Sequence, residues 1–252
     1  MLNNIVDKKQ FDLVKSQDKY RGFLTKKSLT NVKAQVVEVL DISGSMARYY
    51  PKEIQRAVNY LAAVSLSLDD NGELDTYVFS ESAEKIENVT AKNLEKYVTN
   101  EILNKEKDFH WHGTRYAPFM KDILDDFFDN ETHTTISEKS FFGLFSKTKV
   151  ENKYSKNSKD NFPVYVIVLT DGMCDDSINT IELIESAKDS NIYWQFIGIT
   201  SNERELEQIA KWGEKYSNVG FFKFNDLRVM DESKLYEQLV SREFINFIKK
   251  GV

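Results

Sequence analysis

Along most of the chain, hydrophobic positions recur either with the alternating period of a strand or with the spacing of a helix. Residues 36–41 form a short run rich in β-branched side chains that ends in a Ser/Gly turn, which is typical of a buried strand. After Pro51, which suits the first position of a helix, apolar side chains recur at helical spacing as far as Leu68. A turn at 69–72 precedes an apolar alternation over 74–79. The pattern predicts strand, loop, helix and strand in that order.

The same alternation continues towards the C-terminus. The further predicted elements are a short strand at 85–89, a weak helix at 93–103, a helix at 116–127, a strand at 164–169, a helix at 178–187, a strand at 192–199, a helix at 203–211, a strand at 220–224 and a helix at 232–248. The strand at 164–169 is apolar on both faces, as expected when helices cover both sides of a parallel sheet. We therefore expect an α/β fold: a Rossmann-like, doubly wound, mostly parallel central sheet flanked by helices.

Two segments interrupt this pattern. Residues 1–30 hold only a short amphipathic stretch, which predicts an N-terminal arm packed on a domain at 31–252, with a separate docking peptide as the alternative. At about 131–161 the chain becomes rich in Thr, Ser, Lys and Asn around an apolar cluster at 141–145. We expect an inserted loop there, either a surface excursion tucked against the core or a partner-docking tip.

Composition excludes several classes of function. The 252 residues are 41% hydrophobic, and 34 basic against 40 acidic residues give a net charge of −6, the wrong sign for an extended nucleic-acid surface. Cys174 is the single cysteine, so neither an internal disulfide nor a zinc–thiolate cluster is expected, and a reducing compartment fits best. The chain lacks an apolar run of signal-peptide or membrane-span length. A cytoplasmic location is expected.

Oxygen-bearing side chains are concentrated in three loops that follow predicted strands or precede predicted helices. Asp41, Ser43 and Ser45 occupy alternate positions in the first loop, and Thr114 and Asp171 stand in the other two. Because ligands of such sheets bind at the carboxyl ends of the strands, these side chains are expected to meet at one edge. Neutral hydroxyls with two carboxylates suit a hard cation, Mg²⁺ in the first place, with Mn²⁺ and Ca²⁺ left open. Such a cation would keep a position for an acidic side chain of a partner protein.

The motifs that carry this site resemble those of a known family. Asp41-x-Ser43-x-Ser45, Thr114 and Thr170-Asp171-Gly172, in this order, resemble the metal-ion-dependent adhesion site of von Willebrand factor A (vWA) domains. The resemblance implies that the serines and the threonine coordinate the cation directly or through water, and the aspartates mostly through water. It also implies that a ligand carboxylate fills the open position.

Several segments extend the resemblance to the bacterial vWA proteins associated with tellurite resistance and chemical-stress operons. These segments are 24–29, 32–34, 113–118, 193–199 and 218–222. The resemblance implies a non-enzymatic interaction module acting in a toxic-metal or chemical stress response. It leaves the partner, the oligomeric state and any direct contact with tellurite open.

Other interpretations of single residues compete with functional ones. His110 and His112, with His133, are candidate zinc ligands, but rim or packing residues are the favoured interpretation. Asp175 and Asp176 are expected to cap a helix starting near Ser177 rather than to tune the site. For Cys174, a partly buried inert thiol is favoured over a redox-sensitive one.

The alternative function is a Mg²⁺-dependent, phosphatase-like phosphoryl-transfer enzyme. An aspartate at a strand end favours it, but such chemistry needs a second acid at the position of Ser43. The glycine-rich phosphate-binding motifs of nucleotide sites do not occur in the sequence.

Overall fold

The structure is a computed structural model that describes residues 11–69, 71–105, 113–137, 147–200 and 202–250. His110, His112, the apolar cluster at 141–145 and the first ten residues of the N-terminal arm lie outside the described residues. His133 lies on a described strand.

A six-stranded sheet forms the centre of the fold, in the order β3-β2-β1-β6-β7-β8. Its strands are β1 (Gln35–Asp41), β2 (Glu73–Phe79), β3 (Ala83–Thr90), β6 (Val164–Thr170), β7 (Ile192–Ile199) and β8 (Val219–Phe224). All neighbouring strands are parallel except β2 and β3. The β1 and β6 strands are apolar and central, which explains why both are almost wholly buried.

Helices cover both faces of this sheet. They are α1 (Leu13–Lys26), α2 (Lys52–Leu68), α3 (Ala117–Phe127), α4 (Ser177–Ser186), α5 (Glu203–Lys215), α6 (Glu232–Leu239) and α7 (Arg242–Lys250). Alternate residues of β1 divide between two apolar cores: Val36 and Leu40 pack with α1, α2, α6 and α7, and Val37 and Val39 pack with α3, α4 and α5. The expected doubly wound α/β fold is confirmed.

The predicted N-terminal arm packs on the domain where it is described. Asp12 caps α1 by accepting the N–H of Lys15 at 3.0 Å. Tyr20 and Leu24 are buried in the same core as α2 and α6. The domain bounds at 1–30 and 31–252 stay a prediction.

The structure differs from the sequence pattern at the insertion, at 93–103 and in the last predicted helix. The insertion is a two-stranded antiparallel sheet of β4 (Asn130–Ser137) and β5 (Lys147–Tyr154) rather than a loop, because backbone pairing does not need the apolar alternation that the sequence lacks there. The weak helix at 93–103 is a 3₁₀ turn followed by a π-helix. The last predicted helix is broken at Ser241, whose hydroxyl accepts the N–H of Phe244 at 3.1 Å and starts α7.

No helix in the described part of the chain combines the length and the apolar character needed to cross a membrane.

Candidate functional site

Two neighbouring parallel strands bring the predicted site together. Leu40 and Leu169 are partners in the register of β1 and β6, so the residues that follow them emerge side by side at the carboxyl edge of the sheet. Asp41 ends β1, and Asp171 directly follows β6. The parallel register therefore places two carboxylates from distant parts of the chain in one site.

Asp41 is fully buried and held by hydrogen bonds at both carboxylate oxygens. Its Oδ1 accepts the N–H of Ser43 at 2.7 Å, and its Oδ2 accepts the hydroxyl of Thr170 at 2.6 Å. The hydroxyl of Tyr50 donates to the Asp41 carbonyl at 3.0 Å. These contacts fix the direction of the Asp41 side chain before any ligand binds.

The two serines lie between Asp41 and Asp171. Ser43 Oγ and Ser45 Oγ are 3.2 Å apart, and the Ser45 hydroxyl donates to Asp171 Oδ1 at 2.6 Å. Gly44 begins a 3₁₀ helix, Gly44–Tyr49, whose tight turn lets both hydroxyls point to the same place. The serines and Asp171 thus form a connected set of oxygen donors.

Thr114 joins this set from the loop before α3. A Cβ placed on Gly172 would lie 3.1 Å from Thr114 Oγ1, so the hydroxyl lies directly against the backbone that follows Asp171. Asp175 holds this loop in place: its Oδ2 accepts the Thr114 N–H at 2.7 Å, and its own N–H donates to the Thr114 carbonyl at 2.8 Å. The structure therefore brings all five predicted residues to one edge of the sheet.

Burial and a neighbouring carboxylate both disfavour the charged form of Asp41 at this site. The pKa of Asp41 is raised to about 6, because removal from water and the neighbouring Asp171 carboxylate outweigh the lowering effect of the Ser43 and Thr170 hydrogen bonds. The guanidinium of Arg48 donates to Asp171 Oδ2 at 3.3 Å. Two close, buried carboxylates favour a bound cation, which would relieve their mutual repulsion.

Asp176 has a different role from the one that the sequence predicts. Its carboxylate caps α3 rather than its own helix, α4: Oδ1 accepts the N–H of Tyr116 at 2.8 Å, and Oδ2 accepts the N–H of Ala117 at 3.1 Å. Asp176 occupies the expected N-cap position of α4, but its side chain makes no capping hydrogen bond to that helix. Both aspartates instead fix the loop that carries Thr114.

Cys174 shows the inert character that the sequence favours. The thiol is buried and lies 3.2 Å from Asp176 Oδ1 and 3.2 Å from Thr180 Oγ1. Burial raises the pKa of this thiol to about 12, so the reactive thiolate is suppressed.

Comparison with known proteins identifies the family. The family model vWA-TerF-like, described as the vWA found in the TerF C terminus, matches residues 33–138 and 146–251. The chain belongs to this family. The interruption of the match lies inside the insertion that carries β4 and β5.

The chain is also similar to a curated relative and to solved structures. The chain is 29% identical over 233 residues to the uncharacterized protein YcbR of Bacillus subtilis, covering 90% of this chain and 83% of that protein. Among solved structures it is similar to proximal thread matrix protein 1 from the mussel byssus with a zinc-occupied MIDAS motif, at a TM-score of 0.50 and 15% identity over 83% of this chain and 47% of that one. The ArnB paralog VWA2 from Sulfolobus acidocaldarius gives a TM-score of 0.43 and 18% identity over 84% of this chain and 45% of that one. The chain spans about half the length of these solved chains.

The donor set of this vWA domain fits a divalent cation of the Mg²⁺ type. Three of the five candidate donors are neutral hydroxyls, and the other two are carboxylates. Within the described residues, no three His, Cys, Asp or Glu side chains come together as a metal site. The predicted ligand set of Asp41, Ser43, Ser45, Thr114 and Asp171 stays a prediction.

The buried Tyr116 hydroxyl supports the loops of the site, a role that the sequence does not predict. This buried hydroxyl donates to the Gly172 carbonyl at 3.0 Å and lies 3.2 Å from the hydroxyl of Thr170, which in turn holds Asp41. Its ring stacks on Phe196. An aromatic residue at the start of an amphipathic helix indicates only core packing, so the sequence carries no signal for this contact.

Tyr116→Phe is expected to lower the free energy of unfolding by about 1–2 kcal/mol, because the Gly172 carbonyl loses a buried donor while the ring remains. Urea unfolding measures this change. Tyr216→Phe is the matched control, because the Tyr216 hydroxyl makes an exposed bond to Glu185 and should change stability little. Equal losses in the two variants would show that the buried hydroxyl does not support the site.

Proposed function

We propose that this protein is a non-enzymatic interaction module whose metal site recruits an acidic group of a partner protein. The observation that carries the proposal is the meeting of five oxygen-bearing side chains, from three loops, at the carboxyl edge of β1 and β6. A bound Mg²⁺ would supply a Lewis-acid position that an incoming carboxylate can occupy.

The hydroxyl and carboxylate residues of the site have different roles in forming this position. Ser43, Ser45 and Thr114 offer neutral hydroxyls, which leave a cation more electrophilic than an all-carboxylate site would. Asp41 and Asp171 supply the negative charge that holds the ion, and Asp41 is kept in position by Thr170 and by the backbone of Ser43. A cation held in this way favours binding of an external acidic ligand over catalysis of a reaction of that ligand.

Membership of the vWA-TerF-like family supports the interaction role, and the mussel protein with a zinc-occupied MIDAS motif supports a divalent cation at this place in the fold. We propose that the module acts in a tellurite, toxic-metal or chemical stress response, because its sequence resembles those of vWA proteins associated with such responses. The cytoplasmic location and Mg²⁺ as the ion in the cell stay predictions.

Mn²⁺ titration of chelator-treated protein tests the proposal. Asp41→Ala and Ser43→Ala should each lower Mn²⁺ affinity by at least about tenfold in calorimetry, because each removes a donor or its anchor. Ser233→Ala, on α6, is the matched control and should leave the affinity unchanged. Unchanged affinity in both site variants would overturn the metal site.

Capture of a partner protein from a lysate is a second test of the proposal. Immobilised wild-type protein should retain its partner from a lysate with Mg²⁺ and release it with chelator, whereas Thr114→Ala should retain little in either condition. Capture that survives chelation would move the interface away from this site. Metal-dependent phosphoester hydrolysis that disappears in Asp41→Asn would instead support the phosphoryl-transfer alternative.

A further inference from the structure

An open cleft of about 460 Å³ extends from the metal site along the carboxyl edge of the sheet. It begins at Ser45 and Asp171, passes Thr200 after β7, and ends at the loop after β8 that carries Asp226 and Arg228. A single carboxylate on the cation would fill only one end of a cleft of this size, which falls in the range of pockets for larger ligands. The rest of the cleft is lined by two arginines, Arg48 and Arg228.

Arg48 forms one side of the cleft. Its guanidinium lies 4.8 Å from the ring centroid of Tyr49 and contacts Asp171 through Nη2 at 3.3 Å. The Arg48 side chain is nevertheless 59% exposed, while that of Asp171 is 3% exposed. A guanidinium has five N–H donors, so Arg48 can hold Asp171 and still present donors to a ligand in the cleft.

Arg228 reaches the same cleft from the loop after β8, the last strand on that side of the sheet. Its Nε donates to Asp226 Oδ1 at 3.0 Å and to Oδ2 at 2.9 Å, which fixes one edge of the guanidinium. The side chain remains 66% exposed. Arg228, and to a smaller extent Arg48, lower the pKa of Asp226, and both guanidinium groups line the same cleft.

The charges of this region favour an anionic ligand once a divalent cation is bound. Among the residues that line the cleft, Arg48 and Arg228 balance the charges of Asp171 and Asp226, so a bound divalent cation would give this lining an excess of positive charge. This local excess contrasts with the net charge of −6 for the chain as a whole. A bound cation would thus attract an acidic ligand to this cleft.

We propose that the cleft binds an acidic polypeptide segment through two carboxylates, one on the metal ion and a second against the guanidinium groups of Arg48 and Arg228. The inference rests on the proposed function and names the class of partner more narrowly: a segment with at least two Asp or Glu residues. Two linked contacts strengthen binding because the second one forms at high effective concentration. Met173 lines the cleft and is 56% exposed, which gives the segment an apolar contact beside its acidic ones.

The test compares two fluorescent peptides in the presence of saturating Mn²⁺. One is an octamer of glutamate, and the other is a Gly/Ser octamer with one central glutamate. The variant is Arg228→Gln with Asp226→Asn, which removes the guanidinium but keeps the net charge of the pair at zero. It should bind the glutamate octamer about fivefold more weakly and the single-glutamate peptide as tightly as the wild type does.

Two controls make the result specific. Arg242→Gln with Glu243→Gln is a charge-matched, exposed pair on α7 outside the cleft and should change neither affinity. Asp226→Asn alone should tighten binding of the glutamate octamer, because the Arg228 guanidinium then loses its competing carboxylate. Thermal melts of all variants check that the turn capped by Asp226 still folds.

The outcomes separate this inference from the proposed function. If wild-type protein does not bind Mn²⁺, both fall together. If Mn²⁺ and the single-glutamate peptide bind but the Arg228 and Asp226 double variant keeps full affinity for the glutamate octamer, the second carboxylate position alone is overturned. Displacement of the octamer by millimolar inorganic phosphate, without displacement by millimolar acetate, would overturn the assignment to carboxylates.

Discussion

Glu38→Gln is expected to remove much of the fall in stability of this protein between about pH 5 and pH 9. Glu38 lies in the middle of β1 with no exposed surface, and Oε1 accepts the hydroxyl of Thr76 at 3.0 Å. Its Oε2 has no hydrogen-bond partner within the described residues. Burial raises the pKa of this carboxyl from its usual 4.5 to about 8, against the smaller lowering effect of the Thr76 hydrogen bond.

The sign of the effect follows from this raised pKa. Between pH 4.5 and about 8 the folded protein keeps a proton on Glu38 that the unfolded chain has released. The stability that this proton provides is complete below the unfolded pKa and is lost as the pH rises through the folded one. The full span of the shift corresponds to roughly 4–5 kcal/mol as an upper bound.

Urea unfolding of chelator-treated protein at several pH values measures the difference. A neutral glutamine has no proton to lose. The free energy of unfolding of the variant should therefore rise relative to that of the wild type by several kcal/mol from the acid to the alkaline end of the range. The unpaired glutamine amide lowers stability equally at every pH and does not change this slope. Glu84→Gln, an exposed position on β3, is the matched control, and parallel curves for wild type and Glu38→Gln would contradict the prediction.

The sequence predicts the sheet and the position of the site for a physical reason. Parallel strands covered on both faces need continuous apolar runs, so the strand at 164–169 is visible from composition alone. Parallel direction then places the ends of β1 and β6 on the same edge, which brings Asp41 and Asp171 together. The Ser and Thr donors follow from their motifs, because each stands a fixed number of residues from a strand or helix end.

Contacts between loops are beyond this kind of reasoning. Asp176 stands at a helix start, where the sequence indicates a cap for α4, but its carboxylate reaches the amides of α3. Arg48 and Arg228 are 180 positions apart and share a cleft only because β1 and β8 end at the same edge. Side-chain direction and the order of the strands decide such contacts, and neither is written in local periodicity.

Asp176→Ala tests the most consequential of these contacts. The Asp176 side chain is 6% exposed and accepts two amide N–H groups at the start of α3, whose dipole favours a negative charge there. Removing the carboxylate leaves these amides without acceptors, and the Thr180 hydroxyl loses a neighbour at 3.2 Å. The expected loss in the free energy of unfolding is about 3 kcal/mol.

The same substitution should reach the metal site, because α3 and its preceding loop position Thr114. We expect Mn²⁺ affinity to fall by about tenfold in Asp176→Ala, with a smaller loss in Asp176→Asn, which keeps one acceptor oxygen. Asp231→Ala is the matched control: Asp231 caps its own helix, α6, by accepting the Lys234 N–H at 3.0 Å. It should lose about 1 kcal/mol of stability and no metal affinity. Matching losses of stability and unchanged Mn²⁺ affinity in both alanine variants would show that Asp176 is an ordinary cap and that Thr114 does not depend on it.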